Sequence, residues 1–408
     1  MHRILKFFNF VKKEPHLAIS FFLAPIIVFI IILLRPIIKL RVGFLRSDRL
    51  GHFAANTELY LCEKIANKKS RKEIDLFYFP SKLCNDHIGL MCKKKLIVLP
   101  KFFLRSTDLL LRSYKFFKPL RALEHRGGDR DIDHLFDRYV SNFQLTKEDE
   151  KKGQKILNDF GLPDNIKFVC VTVRDSAYLN WLYEEEGEHH ESRNSDIDDY
   201  LDSLEDIANK GYYVFRMGKI VEKKIVSKNP KIIDYASSEI RSDFMDVYLG
   251  AKCEFCISTS TGFDAIPFIF RKPIVYLNMI PIGWLFTFRK EFIGICKHYF
   301  SIIDGRELNL QEIFDSGCAY STSENFLLEN GVSVTNNTKK EIKDTINEML
   351  SYVSGEKNFN DVYSDDQKKF WSIYKKNIIK DKKFDLHGKF YSRYNSNFLN
   401  ENKWFIEN

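Results

Sequence analysis

The sequence predicts an α/β protein of two domains, each a parallel sheet flanked by helices, preceded by an N-terminal membrane helix. Three observations predict it. Apolar runs of strand length alternate with amphipathic runs of helix length. Two of the strands end in a polar turn that opens directly into a helix, at residues 47–51 and 258–262. Residues 17–34 (LAISFFLAPIIVFIIILL) carry no charge and approach the ~20 residues that cross a bilayer.

In chain order, the apolar run defines a membrane-associated segment over residues 1–36. Basic residues flank it on both sides, Arg3, Lys6, Lys12 and Lys13 before and Arg35, Lys39, Arg41, Arg46 and Arg49 after, so charge does not orient it. Pro25 near its middle leaves open a kinked or re-entrant helix with both flanks on the cytoplasmic face. A first α/β domain over 37–150 begins with a strand from Leu40, a turn through Ser47 to Gly51, and a helix whose Ala55, Leu59, Cys62 and Ala66 share a face. Strands at Ile74–Phe79 and Leu96–Leu99 come next. The basic, aromatic stretch from Ser113 to Arg130 reads as a solvated loop over a membrane face or as an acceptor-binding lid.

The second domain, over 151–355, opens on the charged helix Lys147–Gly161. Then come a strand ending at Val173, a helix from Ile197 to Asn209 capped by Ser195, a strand through Met217, a short run at Lys231–Tyr235 and a helix from Ser242. The unit FCISTSTGFDAIPFIFRKPIVYLN (255–278) is strand, hydroxyl-rich turn, helix and strand. Further elements are a strand near His298–Ile303, a segment at Asn309–Phe314 and a capped helix from Thr338 to Ser354. Residues 356–408 form a C-terminal helical segment that could cross back to the first domain.

Composition bounds the partners. The chain has 408 residues, 44% of them hydrophobic, enough for two cores, and a net charge of +8 spread over dispersed Lys and Arg. That charge suits phosphates or phospholipid head groups. Nucleic acid is disfavoured, because the Lys-rich pieces at 93–95 and 382–383 are short and no finger or RNP pattern accompanies them. The eight cysteines show no framework, as in a reducing compartment. Cys253 and Cys256 form a lone CxxC with no second pair at zinc spacing and read as core residues.

Ligands of parallel sheets bind beyond the carboxyl ends of the strands. Three polar strand ends converge there: Arg174-Asp175, Arg216 to Lys219, and Ser258, Thr259, Ser260, Thr261 and Gly262. Arg174, Arg216 and Lys219 suit diphosphate neutralisation, with ion pairing to nearby carboxylates as the alternative. The hydroxyl turn before a helix suits an anion, or else simply caps the helix. Asp264 could accept from ribose hydroxyls or complement the helix dipole. Arg193 and Asn194 are candidates for sugar contacts.

The stretches FLRSDRLGHFAANTELYL (44–61), CVTVRDSAYL (170–179), HHESRNSDIDDYLDSLEDIANKGYYVFRMG (189–218), KIIDYASSEIRSDFMDVYLGAKCEFCISTSTGFDAIP (231–267) and KPIVYLN (272–278) resemble a family of bacterial glycosyltransferases of surface-polysaccharide contexts, from about residue 36 to the C-terminus. More distantly, Gly51-His52 resembles the glycine-histidine turn of the lipid-linked N-acetylglucosaminyltransferase of peptidoglycan synthesis, and Val173 to Ser176 the arginine motif of fucosyltransferases. The resemblance implies two Rossmann-like domains facing a cleft, the GT-B plan, and transfer of a sugar from a nucleotide-diphosphate donor to a lipid-linked or other glycan acceptor. It places the catalytic domains on the cytoplasmic face of a bacterial inner membrane. No cofactor and no metal are expected, since GT-B enzymes stabilise the departing diphosphate with cations and helix dipoles. On that plan His52 is the base for the acceptor hydroxyl, or else caps its helix or orients the acceptor. Arg174 and Asp175 join it as catalytic residues, and Arg193, Asn194, Arg216, Lys219, Asp264 and the hydroxyl turn hold the donor.

The alternatives are a nucleotide-sugar 2-epimerase on the same plan, disfavoured by the membrane segment, and a non-catalytic membrane subunit of an assembly complex. Asp131-Ile132-Asp133 has the D-x-D form of metal-dependent transferases but does not end an apolar strand. The tract EEEGEHHE (184–191) reads as an acidic loop. No G-x-S-x-G, P-loop or G-x-G-x-x-G motif is present.

Overall fold

A computed structural model describes residues 15–67, 73–122, 128–182 and 191–407. The chain forms two compact units, residues 1–129 and 130–408.

In the first unit β1 (Lys39–Phe44), β2 (Glu73–Tyr78) and β3 (Ile97–Val98) form a parallel sheet in that order. Arg41 and Asp75 are register partners on β1 and β2, and their side chains form a two-pronged ion pair at 2.6 and 2.8 Å. Tyr60 from the helix Leu50–Ala66 also donates to Asp75, tying helix to sheet.

The membrane crossing expected of residues 17–34 finds no support. Among the described residues no helix is long and apolar enough to cross a membrane. The run lies in the helix Pro15–Leu34, which is continuous through Pro25 and does not turn back. Ser20, Ala24, Val28 and Ile31, spaced four, four and three apart, form one buried stripe. The stripe packs on the helix Lys101–Ser113, and the Ser20 and Ser106 hydroxyls meet at 2.5 Å. Val28 and Ile31 join Val42, Tyr78, Leu104 and Leu111 in one core cluster, while Phe22 stays 81% exposed and Phe29 65%. Hydropathy alone does not reveal that one face of such a helix is already occupied.

Residues 130–150 belong to the second unit, which moves the boundary about twenty residues earlier than the sequence suggests. The reason is Arg130: buried, it donates to the carbonyls of Leu386, Trp284 and Leu285 and lies over the rings of Phe286 and Phe288. Asp131 accepts from the amides of Leu135 and Phe136, capping the short helix Leu135–Arg138, so this D-x-D carboxylate is structural.

The second unit's main sheet is built from β4 (Phe168–Thr172), β5 (Tyr213–Arg216), β6 (Ile232–Ile233), β7 (Cys256–Ser258), β8 (Ile274–Met279) and β9 (Phe292–Cys296). Three strands, β10 (His298–Ser301), β11 (Arg306–Glu307) and β12 (Val332–Thr335), make a small antiparallel sheet. The last strand, β13 (Arg393–Tyr394), returns to the main one.

The main sheet's order is β13-β9-β8-β7-β4-β5-β6, and every pairing is parallel. β4, β7 and β8 are buried at every position, which is why they read as continuous apolar runs rather than alternating ones. Cys170, Cys253 and Cys256 are packed at the centre of this sheet, and burial raises the thiols of Cys170 and Cys256 far above their ordinary range.

The C-terminal segment is part of this unit. The helix Asp365–Lys380 supplies Gln367, which pairs with the backbone of Tyr394 on both its amide groups. β9 is not evident in the sequence because it is a five-residue run, FIGIC, with a glycine at its centre, set between the charged Arg289 to Glu291 and Lys297.

Candidate functional site

Strand order reverses at β4: β5 and β6 lie on one side, and β7, β8 and β9 on the other. Such a reversal leaves a crevice beyond the carboxyl ends of the two central strands, here β4 and β7. The residues that emerge there are Thr172 to Asp175 from β4 and Ser258 to Gly262 from β7.

The two strand ends are bonded together. Thr259 N donates to Thr172 O at 3.2 Å, and Arg174 N donates to Thr259 Oγ1 at 2.8 Å. The Thr172 and Thr261 hydroxyls lie 3.1 Å apart. Ser258 Oγ donates to Asp264 at 2.7 Å and accepts from Thr261 N at 3.3 Å, so both Ser258 and Asp264 are buried props of the turn. Ser260 sits at its apex with φ +60°, a left-handed conformation that costs a non-glycine residue on the order of 1 kcal/mol or more. Its hydroxyl has no partner among the described residues. Arg193 holds the apex from beneath, donating to Ser260 O at 2.8 Å. Burial lowers the pKa of this guanidinium, and the Asp264 carboxylate opposes that shift.

The turn is therefore a preformed loop more than a helix amino terminus. Beyond Thr261 the chain makes a single 3-10 turn, Gly262–Asp264, and the five-residue helix Ala265–Ile269.

The other candidates are placed differently. Arg216, the last residue of β5, is buried. Its guanidinium meets Asp234 at 3.1 Å and the Lys223 carbonyl at 3.1 Å, with Asp175 at 3.9 Å. The structure thus commits Arg216 to ion pairs inside the unit instead of presenting it to a ligand. Asp175 accepts from the amides of Ala177 and Glu222 at 3.1 and 2.9 Å, fixing the loop after β4. Lys219 is exposed, 5.9 Å from the Trp181 ring. Asn194 donates to the Ser176 hydroxyl at 2.7 Å. The cap of the 3-10 turn Ile197–Tyr200 is Asp196 and not Ser195.

One cation is not singled out by the sequence. Lys297 directly succeeds β9 at the same edge of the sheet, is 6% exposed, and donates to Asn194 O at 2.8 Å. Burial pushes its pKa down to about 8, and among the described residues no carboxylate pairs with it. The available signal is a lysine ending the apolar run FIGIC, the same pattern that marks Arg174.

In the first unit His52 lies in the first turn of the helix Leu50–Ala66, half-buried, with the Asp129 carboxylate 3.3 Å from Nδ1. Burial lowers its pKa, Asp129 opposes, and Arg46 and Arg49 add to the lowering. The imidazole is thus neutral near pH 7.

No group of three or more His, Cys, Asp or Glu among the described residues is placed to hold a metal. Residues 184–190 of the acidic tract lie outside the described residues.

No family model and no curated protein matches the chain. Among solved structures it is similar to the ADP-heptose lipopolysaccharide heptosyltransferase II of Escherichia coli (12% identity, 78% of this chain and 100% of that one, TM-score 0.43). It is also similar to a family 9 glycosyl transferase of Veillonella parvula (10%, 59% and 81%, 0.36). A third is TibC, the iron-containing dodecameric glycosyltransferase of enterotoxigenic E. coli (14%, 60% and 60%, 0.32). At such scores and identities the likeness assigns neither substrate nor residue roles to this chain.

Proposed function

We propose that this chain is a glycosyltransferase of the GT-B type. It takes a nucleotide-diphosphate sugar at the carboxyl ends of β4 and β7 and passes the sugar to a glycan acceptor, lipid-linked, in the synthesis of bacterial surface polysaccharide. The observation that carries the reading is the bonded pair of loops at the strand-order reversal, where a strained serine apex is held by a half-buried arginine. Strain maintained by surrounding structure is characteristic of ligand sites.

In this reading the Ser260 and Thr261 region with Arg174 and Arg193 receives the diphosphate, and Lys219 adds an exposed charge. Ser258, Asp264 and Asp175 hold these groups in place. The acceptor oxygen attacks the anomeric carbon while the bond from that carbon to the diphosphate oxygen breaks. The diphosphate leaves with the electron pair, and the acceptor's proton passes to a base. His52, neutral near pH 7, is suited to that base role, and the cations offset the charge that develops on the leaving group, a task that asks for no metal.

A location at the cytoplasmic face of the inner membrane belongs to the same proposal. Its support is the exposed apolar face of Pro15–Leu34 in a unit that also carries Lys115 and Lys118, a composition suited to a lipid interface.

The test is thermal stabilisation by nucleoside diphosphates. A ligand at about 100 times its Kd adds ~2.7 kcal/mol of stability. ADP or UDP should stabilise the protein, the free nucleosides less so, and Arg193→Ala should narrow that difference. Absence of stabilisation by any nucleoside diphosphate would refute the proposal.

A further inference from the structure

The crevice at β4 and β7 leaves one element of the second unit unexplained: a cavity of about 460 Å³ lined by Lys297, Ser192, Asn194, Asn336 and Leu327, with the exposed Glu191 and Glu324 at its rim. Its size falls within the ~300–1,000 Å³ of small-molecule sites.

Lys297 is its unusual member. An ammonium carries three donors, and a hydrogen bond to Asn194 O occupies one of them. An ammonium taken out of water without a counter-charge destabilises the fold, and proteins rarely keep one without use for it. The surroundings offer no carboxylate in ion-pair range among the described residues, yet they include a hydroxyl at Ser192 and amides at Asn194 and Asn336. Ser192 itself is buried and donates to Thr322 O at 2.6 Å, which fixes the wall.

The cavity is also tied to the turn after β7. Asn194 O receives Lys297, and its chain neighbour Arg193 grips Ser260 O, so one dipeptide holds both features.

We propose that this cavity binds an oxyanion, a phosphate or a carboxylate, with the Lys297 ammonium as its counter-charge, and that the anion belongs to the sugar substrate. The last clause rests on the transferase reading; anion binding at Lys297 does not. The exposed Glu191 and Glu324 suit hydroxyl groups at the mouth, so the chemistry fits a polyhydroxylated ligand with one anionic group better than a bare ion.

The experiment titrates the full chain and its Lys297→Met variant calorimetrically with inorganic pyrophosphate, with glucuronate, and with glucose as the neutral control. The expected result is that at least one of the two anions binds the wild type, that glucose does not, and that Lys297→Met weakens the anion by about tenfold or more, the magnitude of a lost charged hydrogen bond. Loss for pyrophosphate alone identifies a phosphate, and loss for glucuronate alone an acidic sugar. Equal binding by wild type and variant, or no anion binding by the wild type, would overturn the proposal.

Should Lys297→Met fail to fold, acetylation of Lys297 in the wild type by acetic anhydride, read by peptide mass spectrometry, replaces it. The bound anion should slow the modification, and an unchanged rate refutes the site. A separate arm with ADP reports on the transferase reading alone: ADP binding that survives in Lys297→Met while anion binding also survives removes this inference and leaves that reading standing.

Discussion

Arg193 and Arg216 are both basic residues near the carboxyl edge of one sheet, yet their surroundings oblige them to behave differently. Arg216→Ala would remove a buried guanidinium and leave the half-buried Asp234 carboxylate without its partner, a change that should cost less than the ~3–5 kcal/mol of breaking a fully buried pair. The expected outcome is a fall in Tm, with any residual folded protein binding nucleoside and nucleoside diphosphate in unaltered proportion. Arg193→Ala should instead weaken the diphosphate by ~1.5–3 kcal/mol relative to the nucleoside, measured by calorimetry. For the chemistry, His52→Ala should lower turnover by ~10²–10⁴ at nearly constant donor affinity. Because burial lowers the imidazole pKa, the acid limb of the wild-type kcat profile should lie below the ordinary histidine range, and the variant should lack it. A limb that persists in the variant would assign it to another group. Residue types at strand ends could be read from the sequence, but their partners could not. Asp234 lies eighteen positions from Arg216, and only the pairing of β5 with β6 brings them together.

Among the elements, the helix Pro15–Leu34 has a buried stripe and an exposed face that composition does not separate. Ala24→Leu should overpack the contact with Lys101–Ser113 and destabilise by ~1–3 kcal/mol. Phe22→Ser, on the exposed face, should stay within about 0.5 kcal/mol. Comparable losses from both would contradict the packing described. The small sheet carries a pH dependence of its own. Burial alone would lower the pKa of His298 on β10, but hydrogen bonds to Glu307 on β11 and to Glu341 on the helix Lys339–Val353 outweigh it and raise the value to about 9. The folded pKa thus exceeds the unfolded value near 6.5. The contribution is fully present below about pH 6.5 and is lost as pH rises towards 9. Urea midpoints should fall across that window in the wild type and fall less in His298→Gln. Capping signals made several elements legible: Thr338 with Glu341, and Ser242 before Asp243–Lys252, mark their helices as the sequence suggests. β9 is hard to read because FIGIC is only five residues long and carries a glycine at its centre, which weakens a strand signal.

At the level of the molecule, the parallel α/β character was legible because buried strands and amphipathic helices alternate, and because right-handed crossovers leave few arrangements. The division into units was not. Arg130 looks like one more basic residue in a basic loop, whereas its guanidinium serves three carbonyls more than 150 positions away in the chain. A fragment starting at Arg130 should therefore unfold with greater cooperativity and at higher temperature than one starting at Lys151, which lacks that anchor. Identical melting would mean that residues 130–150 add nothing to the unit.

The buried thiols carry a consequence for how the molecule opens in time. Cys62 and Cys92 lie in the first unit, and in the second Cys170 and Cys256 lie in the main sheet and Cys253 at the end of the helix Asp243–Lys252, all inaccessible in the folded state. An alkylating reagent can reach each only when its surroundings part, so the labelling rate at each position is a clock for one local opening. Where reclosing outpaces alkylation, the ratio of observed to intrinsic rate gives the equilibrium for that opening, and where it does not, it gives the opening rate itself. The chain thus carries its own set of reporters, already distributed between its two halves, through which their separate lifetimes can be tracked without a probe being introduced.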